Sequence, residues 1–218
     1  ANAAIANSAD GIRVNAPSNL IGGSFPGSRN VISGNGSNGI EITALGTGTR
    51  VVGNYIGVDP GAALDRGNSV DGMLVYASGV MVGGASPGEG NLIAGNTSDG
   101  MEISGAGATN NLVLGNTIGG VAGAPNSGNG ILITGGAHNN VIGGLESGAA
   151  NLIAFNTQVG ISVAAAAANT NNAFRANLIH SNGGIGINLG AAGVTPNDAG
   201  DADTGANRQQ NFPVLTVA

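Results

Sequence analysis

The sequence predicts an all-β fold: a single-domain parallel β-helix of about six to seven coils of 24–33 residues, closed by an irregular C-terminal cap. Three observations predict this solenoid: a phrase that recurs at a nearly constant interval, short apolar runs between its copies, and an unusual number of glycines with the same period. The phrase is Asn-x-x-x-Gly followed by an apolar-x-apolar triplet, and a looser copy begins at Gly184. Its six full copies begin at Asn7, Asn35, Asn68, Asn96, Asn126 and Asn156.

The interval between the copies is typical of solenoids. The glycines of the six full copies are Gly11, Gly39, Gly72, Gly100, Gly130 and Gly160. Their spacing falls within the range of roughly 20–50 residues that indicates repeat architectures. Glycine makes up 42 of the 218 residues, whereas ordinary proteins contain about 7%. Such a content usually indicates disorder, but here the glycines recur with the repeat and therefore indicate a regular fold.

Each repeat contains three apolar runs that predict short strands. In the first coil these runs lie at residues 11–14, 20–23 and 31–34. Runs of about four residues, rich in Val and Ile and bounded by Gly, Asn or Pro, are typical of strands. Frequent glycine disfavours helix, because each interior glycine is about 1 kcal/mol worse than alanine. Three strands per repeat predict coils that stack at about 4.8 Å, so that six coils span roughly 30 Å.

A longer period is superimposed on the first and predicts that the repeating unit is a pair of coils, present three times. Three features recur in every second coil, at about twice the shorter interval. They are Gly22-Gly23 with Gly83-Gly84 and Gly143-Gly144, Asn30 with Asn91 and Asn151, and Asn54 with Asn116 and Asn177. Loops that contain Pro and Gly separate these motifs, and we expect them to leave the barrel.

Equivalent side chains of successive coils are expected to share a column. The first asparagine of each phrase, from Asn7 to Asn156, is predicted to form a ladder of stacked amides like those of cross-β structures. The residue before each phrase glycine favours an Asx-type turn, with the glycine at positive φ. These residues are Asp10, Asn38, Asp71, Asp99 and Asn129, and Val159 interrupts their column. We interpret both columns as turn architecture, with a ligand site as the alternative.

The regular pattern ends near residue 190, which predicts two parts. Residues 1–190 are predicted to form the β-helix and residues 191–218 a capping tail that folds over the last coil, because an uncovered coil exposes unpaired backbone groups. The first coil has no comparable cap, so end-to-end self-association is a further expectation. Because the chain begins without Met, we expect it to be a mature or excised piece of a longer protein.

Composition argues against several classes of partner. Charged residues are 8% of the chain, the formal net charge is −6, and the six basic residues are scattered arginines. Nucleic-acid binding needs a basic surface and is therefore not expected. No apolar run approaches the ~20 residues that cross a bilayer, so membrane insertion is not expected. The absence of Cys excludes disulfides and Cys-ligated zinc.

Three phrases and the ending of the chain are distinctive: NLIGG at 19–23, NVISGN at 30–35, GNYIG at 53–57, and residues 194–215. They resemble the right-handed parallel β-helix repeats of large secreted bacterial surface proteins, and the resemblance covers nearly the whole chain. It implies a right-handed turn and a secreted or cell-surface location. It does not indicate one activity, because that superfamily includes pectate lyases, polygalacturonases, epimerases, phage tailspikes and adhesins.

Four carboxylates on the outward edge of the coils are candidates for chemistry. Glu41 and Glu102 occupy the same slot two coils apart, with Leu74 between them. The strand spacing predicts about 9.6 Å between them, near the upper end of the separation in inverting glycosidases. Asp71 and Asp99 lie three residues before this row in neighbouring coils. Such a cluster suits acid–base catalysis or binding of Ca²⁺.

Other features favour a non-catalytic function. The same slot holds Ser162 in the sixth copy, Arg13 is placed to pair with Glu41, and Lys and Trp are absent. The motifs of polygalacturonases are also missing. Together with the resemblance, which implies the extracellular location and the bacterial surface protein, these features predict a non-catalytic structural or adhesive segment of a larger bacterial surface protein, with a polysaccharide or a cell-surface component as its partner. A polysaccharide-active lyase or glycoside hydrolase that uses Glu41, Asp71, Asp99 and Glu102 is the alternative.

The tail carries a second acidic group. Asp198, Asp201 and Asp203, together with Asn197, resemble a loose calcium-binding loop. They lack the full EF-hand spacing and its closing Glu. Calcium bracing of the tail and a solvated acidic turn are both left open, and no other cofactor is expected.

Overall fold

Parallel strands stacked coil upon coil form the fold. The computed structural model describes residues 6–120, 123–166, 168–191, 193–197, 199–200 and 204–209. Within these residues the strands form three parallel sheets of seven, six and six strands, a β-solenoid of about six turns. The predicted all-β solenoid is therefore confirmed.

Each coil contributes one strand to each sheet. The first three coils contain β1 (Ile12–Val14), β2 (Leu20–Gly22), β3 (Val31–Ile32), β4 (Ile40–Ile42), β5 (Arg50–Val52), β6 (Tyr55–Ile56), β7 (Met73–Val75), β8 (Met81–Gly83) and β9 (Leu92–Ile93). The next three contain β10 (Met101–Ser104), β11 (Leu112–Leu114), β12 (Thr117–Gly119), β13 (Ile131–Thr134), β14 (Val141–Ile142), β15 (Leu152–Ala154), β16 (Ile161–Val163), β17 (Ala173–Phe174) and β18 (Leu178–His180). A last strand, β19 (Ile187–Leu189), begins a seventh coil, and two short 3₁₀ segments lie at Pro26–Ser28 and Ala206–Gln209.

Every third strand belongs to the same sheet. Sheet A is β1-β4-β7-β10-β13-β16-β19, sheet B is β2-β5-β8-β11-β14-β17, and sheet C is β3-β6-β9-β12-β15-β18. The pairing keeps equivalent residues of successive repeats opposite each other, as at Ile40, Met73 and Met101. The chain turns between sheets at three corners, which we name A–B, B–C and C–A.

The core is a set of aliphatic columns inside the three sheets. In sheet A one inward column continues from Met101 to Ile131 and Ile161, and all three are fully buried. Sheets B and C add columns of Val and Ile such as Val113 and Ile118. Burial of this apolar surface stabilises the fold by about 25 cal/mol per Å², and three-residue strands suffice because each coil is covered by the next.

Two amide ladders run the length of the solenoid. At the C–A corner the side-chain NH₂ of each asparagine donates to the amide oxygen of the next coil at 2.7–2.9 Å. The rungs are the six asparagines of the repeated phrase and a seventh, Asn182. Residues 182–189 are a full copy of the phrase with Gly186 as its glycine, so the looser copy predicted at Gly184 is wrong by two residues. At the B–C corner a second ladder has spacings of 2.9–3.1 Å. Its rungs are Asn30, Asn54, Asn91, Asn116, Asn151 and Asn177.

The second ladder shows how the one-coil and two-coil periods coexist. The sequence assigns Asn30 and Asn54 to different halves of a two-coil unit, yet they are adjacent rungs of one ladder. The longer period belongs to the loops. In the first coil the chain leaves β2 at Gly22 (φ 83°) and makes a loop before Asn30, whereas in the second coil it turns at Gly53 (φ 69°) directly into Asn54.

Part of the tail lies over the last coil. Ala206 is fully buried against the core. Asn207 stacks on Asn172 at the A–B corner: its Oδ1 accepts the backbone N–H of Asn172 at 2.7 Å, and its Nδ2 donates to the Asn172 carbonyl at 2.9 Å. The tail residues 204–209 thus extend the column of that corner by one rung.

Candidate functional site

The outward face of sheet A carries the acidic residues that the sequence selects. The strand register places Arg13, Glu41, Leu74 and Glu102 in one row across β1, β4, β7 and β10. Glu41 and Glu102 therefore occupy the same slot two coils apart, with Leu74 between them, as predicted. The row continues as neutral Leu132 on β13, so its charged part ends at the fourth coil.

The two aspartates lie at the entrance to the strands of this face, where they take part in the turns. Asp71 and Asp99 are only 3% and 5% exposed. Oδ1 of Asp71 accepts the backbone N–H of Asp99 at 2.9 Å. Oδ1 of Asp99 accepts the side-chain NH₂ of Asn129 at 2.9 Å and also its backbone N–H. Both carboxyl groups thus join successive coils and do not form the predicted Asx-type turns, in which the side chain bonds its own turn. The predicted positive φ of the phrase glycines is also wrong. Glycine is required at Gly72 and Gly100 because a Cβ would clash with the glycine carbonyl of the next coil.

Three of the four predicted carboxylates come together. Asp71, Asp99 and Glu102 each offer a carboxylate oxygen, and these oxygens lie within 4.8 Å of one another. We call this group the carboxylate cluster. Glu41 is engaged elsewhere, because its Oε1 lies 3.3 Å from Nη2 of Arg13 and its carboxyl also hydrogen-bonds Asp10.

Burial shifts the proton affinity of the cluster upwards. Desolvation raises the pKa of Asp99 to about 6, and the charges of Asp71 and Glu102 add to this rise, which the hydrogen bonds from Asn129 oppose. Desolvation also raises the pKa of Asp71, against hydrogen bonds from Asp99 and Ser98. The pKa of Glu102 is raised by burial and by Asp71. Crowded carboxyls with little solvent favour retention of a proton.

Tyr76 is a residue of this face that the sequence argument does not include. It follows β7 directly, so it lies on the same side as Leu74, two residues earlier. Its side chain is 37% exposed. Burial raises the pKa of its phenol, and the charges of Glu102, Glu41 and Asp71 raise it further. The two-residue spacing from Leu74 is the sequence signal that identifies Tyr76 as a neighbour of the acidic row.

The arrangement suits proton retention better than coordination of Ca²⁺. Calcium takes about six to eight oxygen ligands, and the cluster brings three carboxyl groups together. One oxygen of Asp71 and one of Asp99 already accept N–H groups. The calcium residues expected in the tail, Asp198, Asp201 and Asp203, lie outside the described residues.

Comparison of the chain with protein-family models, with curated proteins and with solved structures gave no match in any of the three. In the described part of the chain, no helix has the length and apolar character needed to cross a bilayer.

Proposed function

We propose that this chain is a non-catalytic structural or adhesive segment of a larger bacterial surface protein, exposed outside the cell. The observation that carries the proposal is the pair of uninterrupted amide ladders, which bond each coil to the next along the whole solenoid. These side chains hold successive coils together along the solenoid axis, and a stack of six coils gives a spacer of roughly 30 Å. The resemblance to secreted bacterial β-helix repeats supports the extracellular location.

The acidic groups also support a non-catalytic function. The carboxyl groups of Asp71 and Asp99 hold backbone N–H groups of the turns, and Arg13 neutralises Glu41. A general acid or base needs an oxygen that reaches the substrate. In this cluster Glu102 is the carboxylate with the least architectural engagement.

The loops at the B–C corner offer a surface for adhesion. The loop at residues 84–90 packs directly on the loop of the first coil. Gly88 lies against the carbonyl oxygen of Ser24, and a residue with a Cβ at this position would clash with it. Gly148, in the loop of the fifth coil, approaches Ala85 in the same way. The loops of alternate coils therefore form a continuous ridge, which we propose as the surface that contacts a polysaccharide or a cell-surface component.

A panel of acidic and neutral polysaccharides, with and without Ca²⁺, tests the proposal. The expected result is no release of new reducing or unsaturated ends, together with retarded migration of the chain in gels that contain a bound polysaccharide. Substitution of Ser86 and Ser147 on the ridge by Glu should abolish the retardation, whereas Ser127→Glu, exposed at the C–A corner, is a matched control away from the ridge and should leave it unchanged. Turnover by the wild-type chain would contradict the proposal.

One observation favours an enzyme as the second candidate. The carboxylate cluster lies beside half-exposed Tyr76, and Asp99 has a pKa of about 6, which suits a general acid. A polysaccharide lyase or hydrolase with Asp99 as the acid would lose turnover in Asp99→Asn and in Glu102→Gln. Glu146→Gln, in an exposed loop, would leave that turnover unchanged.

End-to-end association is a separate proposal about partners. Among the described residues the first strands β1, β2 and β3 each pair on one side only, and an unpaired strand edge can pair with another chain. A molecular mass that rises with concentration is the expected result. A mass that stays at that of the monomer across the accessible range would contradict it.

A further inference from the structure

The Asx column beside sheet A differs from the amide ladders in one respect. At two of its steps an asparagine side chain supplies a hydrogen: Asn38 Nδ2 donates to Asp10 at 3.1 Å, and Asn129 Nδ2 donates to Asp99 at 2.9 Å. Between Asp71 and Asp99 the donor is the backbone N–H of Asp99, at 2.9 Å. At this step no side-chain amide joins Asp71 to Asp99, and an oxygen of each carboxyl group lies within 4.8 Å of the other.

The surroundings of this step in the described part of the chain contain acids and no compensating cation. Glu102 faces it from β10, Glu41 lies on β4, and the Tyr76 phenol follows β7. The neighbouring strand β13, paired with β10, presents neutral Leu132 beside Glu102. Among the described residues the ion pairs are Arg13–Glu41 and Arg50–Glu89, and neither brings an arginine to the cluster.

We propose that a proton held by the carboxyl pair Asp71 and Asp99 is a structural part of the solenoid, and that its loss as the pH rises from 5 to 8 weakens the stacking of the third coil on the fourth. A protonated carboxyl group supplies one O–H donor and keeps acceptor capacity. It can therefore take the place of the asparagine NH₂ that this step lacks. The third and fourth coils are stacked most tightly when the cluster is protonated.

The direction of the pH dependence follows from linkage. Burial raises the pKa of Asp99 from 3.8 to about 6 in the folded chain, so the folded state binds a proton that the unfolded state releases. The stabilisation is fully present below pH 3.8 and is lost as pH rises through about 6. For this one group the ratio of folded to unfolded chain increases about tenfold between pH 8 and pH 5.

Urea unfolding of the full chain tests this, with circular dichroism at pH 5, 6, 7 and 8 in the presence of a chelator. The wild-type midpoint should rise as pH falls. Asp99→Asn, which supplies a permanent amide, should raise the midpoint at pH 8 and remove most of the slope. Glu146→Gln, in an exposed loop, is the matched control and should keep the wild-type slope.

Hydrogen exchange provides a test that needs no variant. The Asp99 amide donates to Asp71, so its protection, corrected for the intrinsic exchange rate, should fall about tenfold between pH 5 and pH 8, while the Asp71 amide, bonded to Asn38 at 3.1 Å, serves as the internal reference. A flat or falling wild-type midpoint on acidification, or an unchanged slope in Asp99→Asn, would overturn the proposal. So would added Ca²⁺ that restores the midpoint at pH 8, because a cation would then be the partner of the cluster.

Discussion

The C–A and A–B corners of the same solenoid are stabilised differently. Seven asparagine rungs follow one another at the C–A corner, and every side-chain step is closed. At the A–B corner the column residue that precedes each sheet B strand is asparagine again only from Asn111 onwards. Its equivalents in earlier coils are Asn19, Thr49 and Val80. A coil can therefore stack on the next even where one of its three corners lacks a ladder, provided that the other two corners and the core are complete.

The A–B corner, whose ladder is interrupted at Thr49 and Val80 and which we call the broken corner, also contains buried polar atoms without a hydrogen-bond partner among the described residues. Thr49 is fully buried, and neither its Oγ1 nor Nδ2 of Asn111 forms a hydrogen bond within the part of the chain that the structure describes. The rungs that follow, Asn140 and Asn172, are joined at 3.0 Å. A partly formed ladder thus keeps the desolvation cost of its polar groups without the bonds that offset it.

The largest expected effect is loss of a central rung at the complete corner. In Asn96→Ala the side-chain NH₂ of Asn68 loses its acceptor at 2.8 Å and the backbone N–H of Asn68 loses the same acceptor at 3.3 Å. The Asn126 oxygen loses its side-chain donor at 2.9 Å and keeps the backbone N–H of residue 96. Unpaired buried groups cost about 1–3 kcal/mol each, so we expect a destabilisation of about 3 kcal/mol or more, measured by urea unfolding.

The matched control for this variant is Asn19→Ala at the A–B corner. Asn19 is exposed, and its side chain bonds only local carbonyl oxygens, of Ala16 at 2.6 Å and Pro17 at 3.4 Å. We expect a change within about 0.5 kcal/mol, as for most surface substitutions. Equal losses in Asn19→Ala and Asn96→Ala would show that the ladders contribute no more than ordinary turns.

The second effect concerns the residue that turns the chain before a rung. At the C–A corner Gly34 and Gly95 have φ values of 67° and 78°, but the equivalent Phe155 has φ 59°. A left-handed conformation costs a residue with a Cβ roughly 1–2 kcal/mol, part of which a flexible glycine gives back in the unfolded state. We therefore expect Phe155→Gly to stabilise the chain by about 1 kcal/mol in urea unfolding.

The same variant removes a surface contact. The Phe155 ring packs edge-on against His180 with centroids 6.0 Å apart, and Phe155 is 43% exposed. His180→Ala is the control, because it removes the ring contact and leaves the φ of Phe155 unchanged. A loss of stability in Phe155→Gly that matches the loss in His180→Ala would mean that the ring contact outweighs the strain.

The sequence predicts the stacking well because the repeat itself carries the information. The regular spacing from Asn35 to Asn156 is enough to predict the first ladder, and the apolar triplets predict sheet A. The second ladder is harder to derive, since a loop separates Gly22 from Asn30 but not Gly53 from Asn54, and the spacing alternates between coils. Asn182 begins a full copy of the phrase, with Gly186 26 residues after Gly160, but the run Gly-Ile-Gly-Ile at 184–187 also fits a looser copy two residues earlier and obscures the register.

The carboxylate cluster could be predicted only in part. The register of Glu41 and Glu102 follows from the repeat, but the separation of Glu41 from the cluster depends on side-chain contacts with Asp10 and Arg13. The burial of Asp99, which raises its pKa, depends on how neighbouring coils cover the turn. Such contacts join side chains of different coils, and residue type and spacing alone do not determine them.

A smaller effect is expected from removal of the unpartnered hydroxyl at the broken corner. Thr49→Val keeps the shape of the side chain and replaces a buried group that has no hydrogen bond. An unsatisfied buried polar group costs about 1–3 kcal/mol, of which a part is recovered by an apolar substitute. We expect a gain of about 0.5–1 kcal/mol in urea unfolding, and a loss would indicate that Thr49 has a partner in solution.

The smallest expected effect comes from extension of the incomplete ladder towards the N-terminus. The backbone N–H of Val80 already donates to Asn111 Oδ1 at 2.7 Å, as the rungs of complete ladders do. In Val80→Asn a new side-chain NH₂ can reach the same oxygen, and the new amide oxygen faces Thr49. Because burial of the valine is lost while about two hydrogen bonds are gained, the net stabilisation should be about 0.5 kcal/mol.

A double-mutant cycle separates these contributions at the A–B corner. If the amide at position 80 accepts the Thr49 hydroxyl, the gain from Val80→Asn should shrink when it is combined with Thr49→Val, since the acceptor then has no side-chain donor. Additive effects would mean that the two side chains do not bond. The coupling energy thus measures directly what one further rung contributes where the ladder is broken, for comparison with the loss at Asn96 where it is complete.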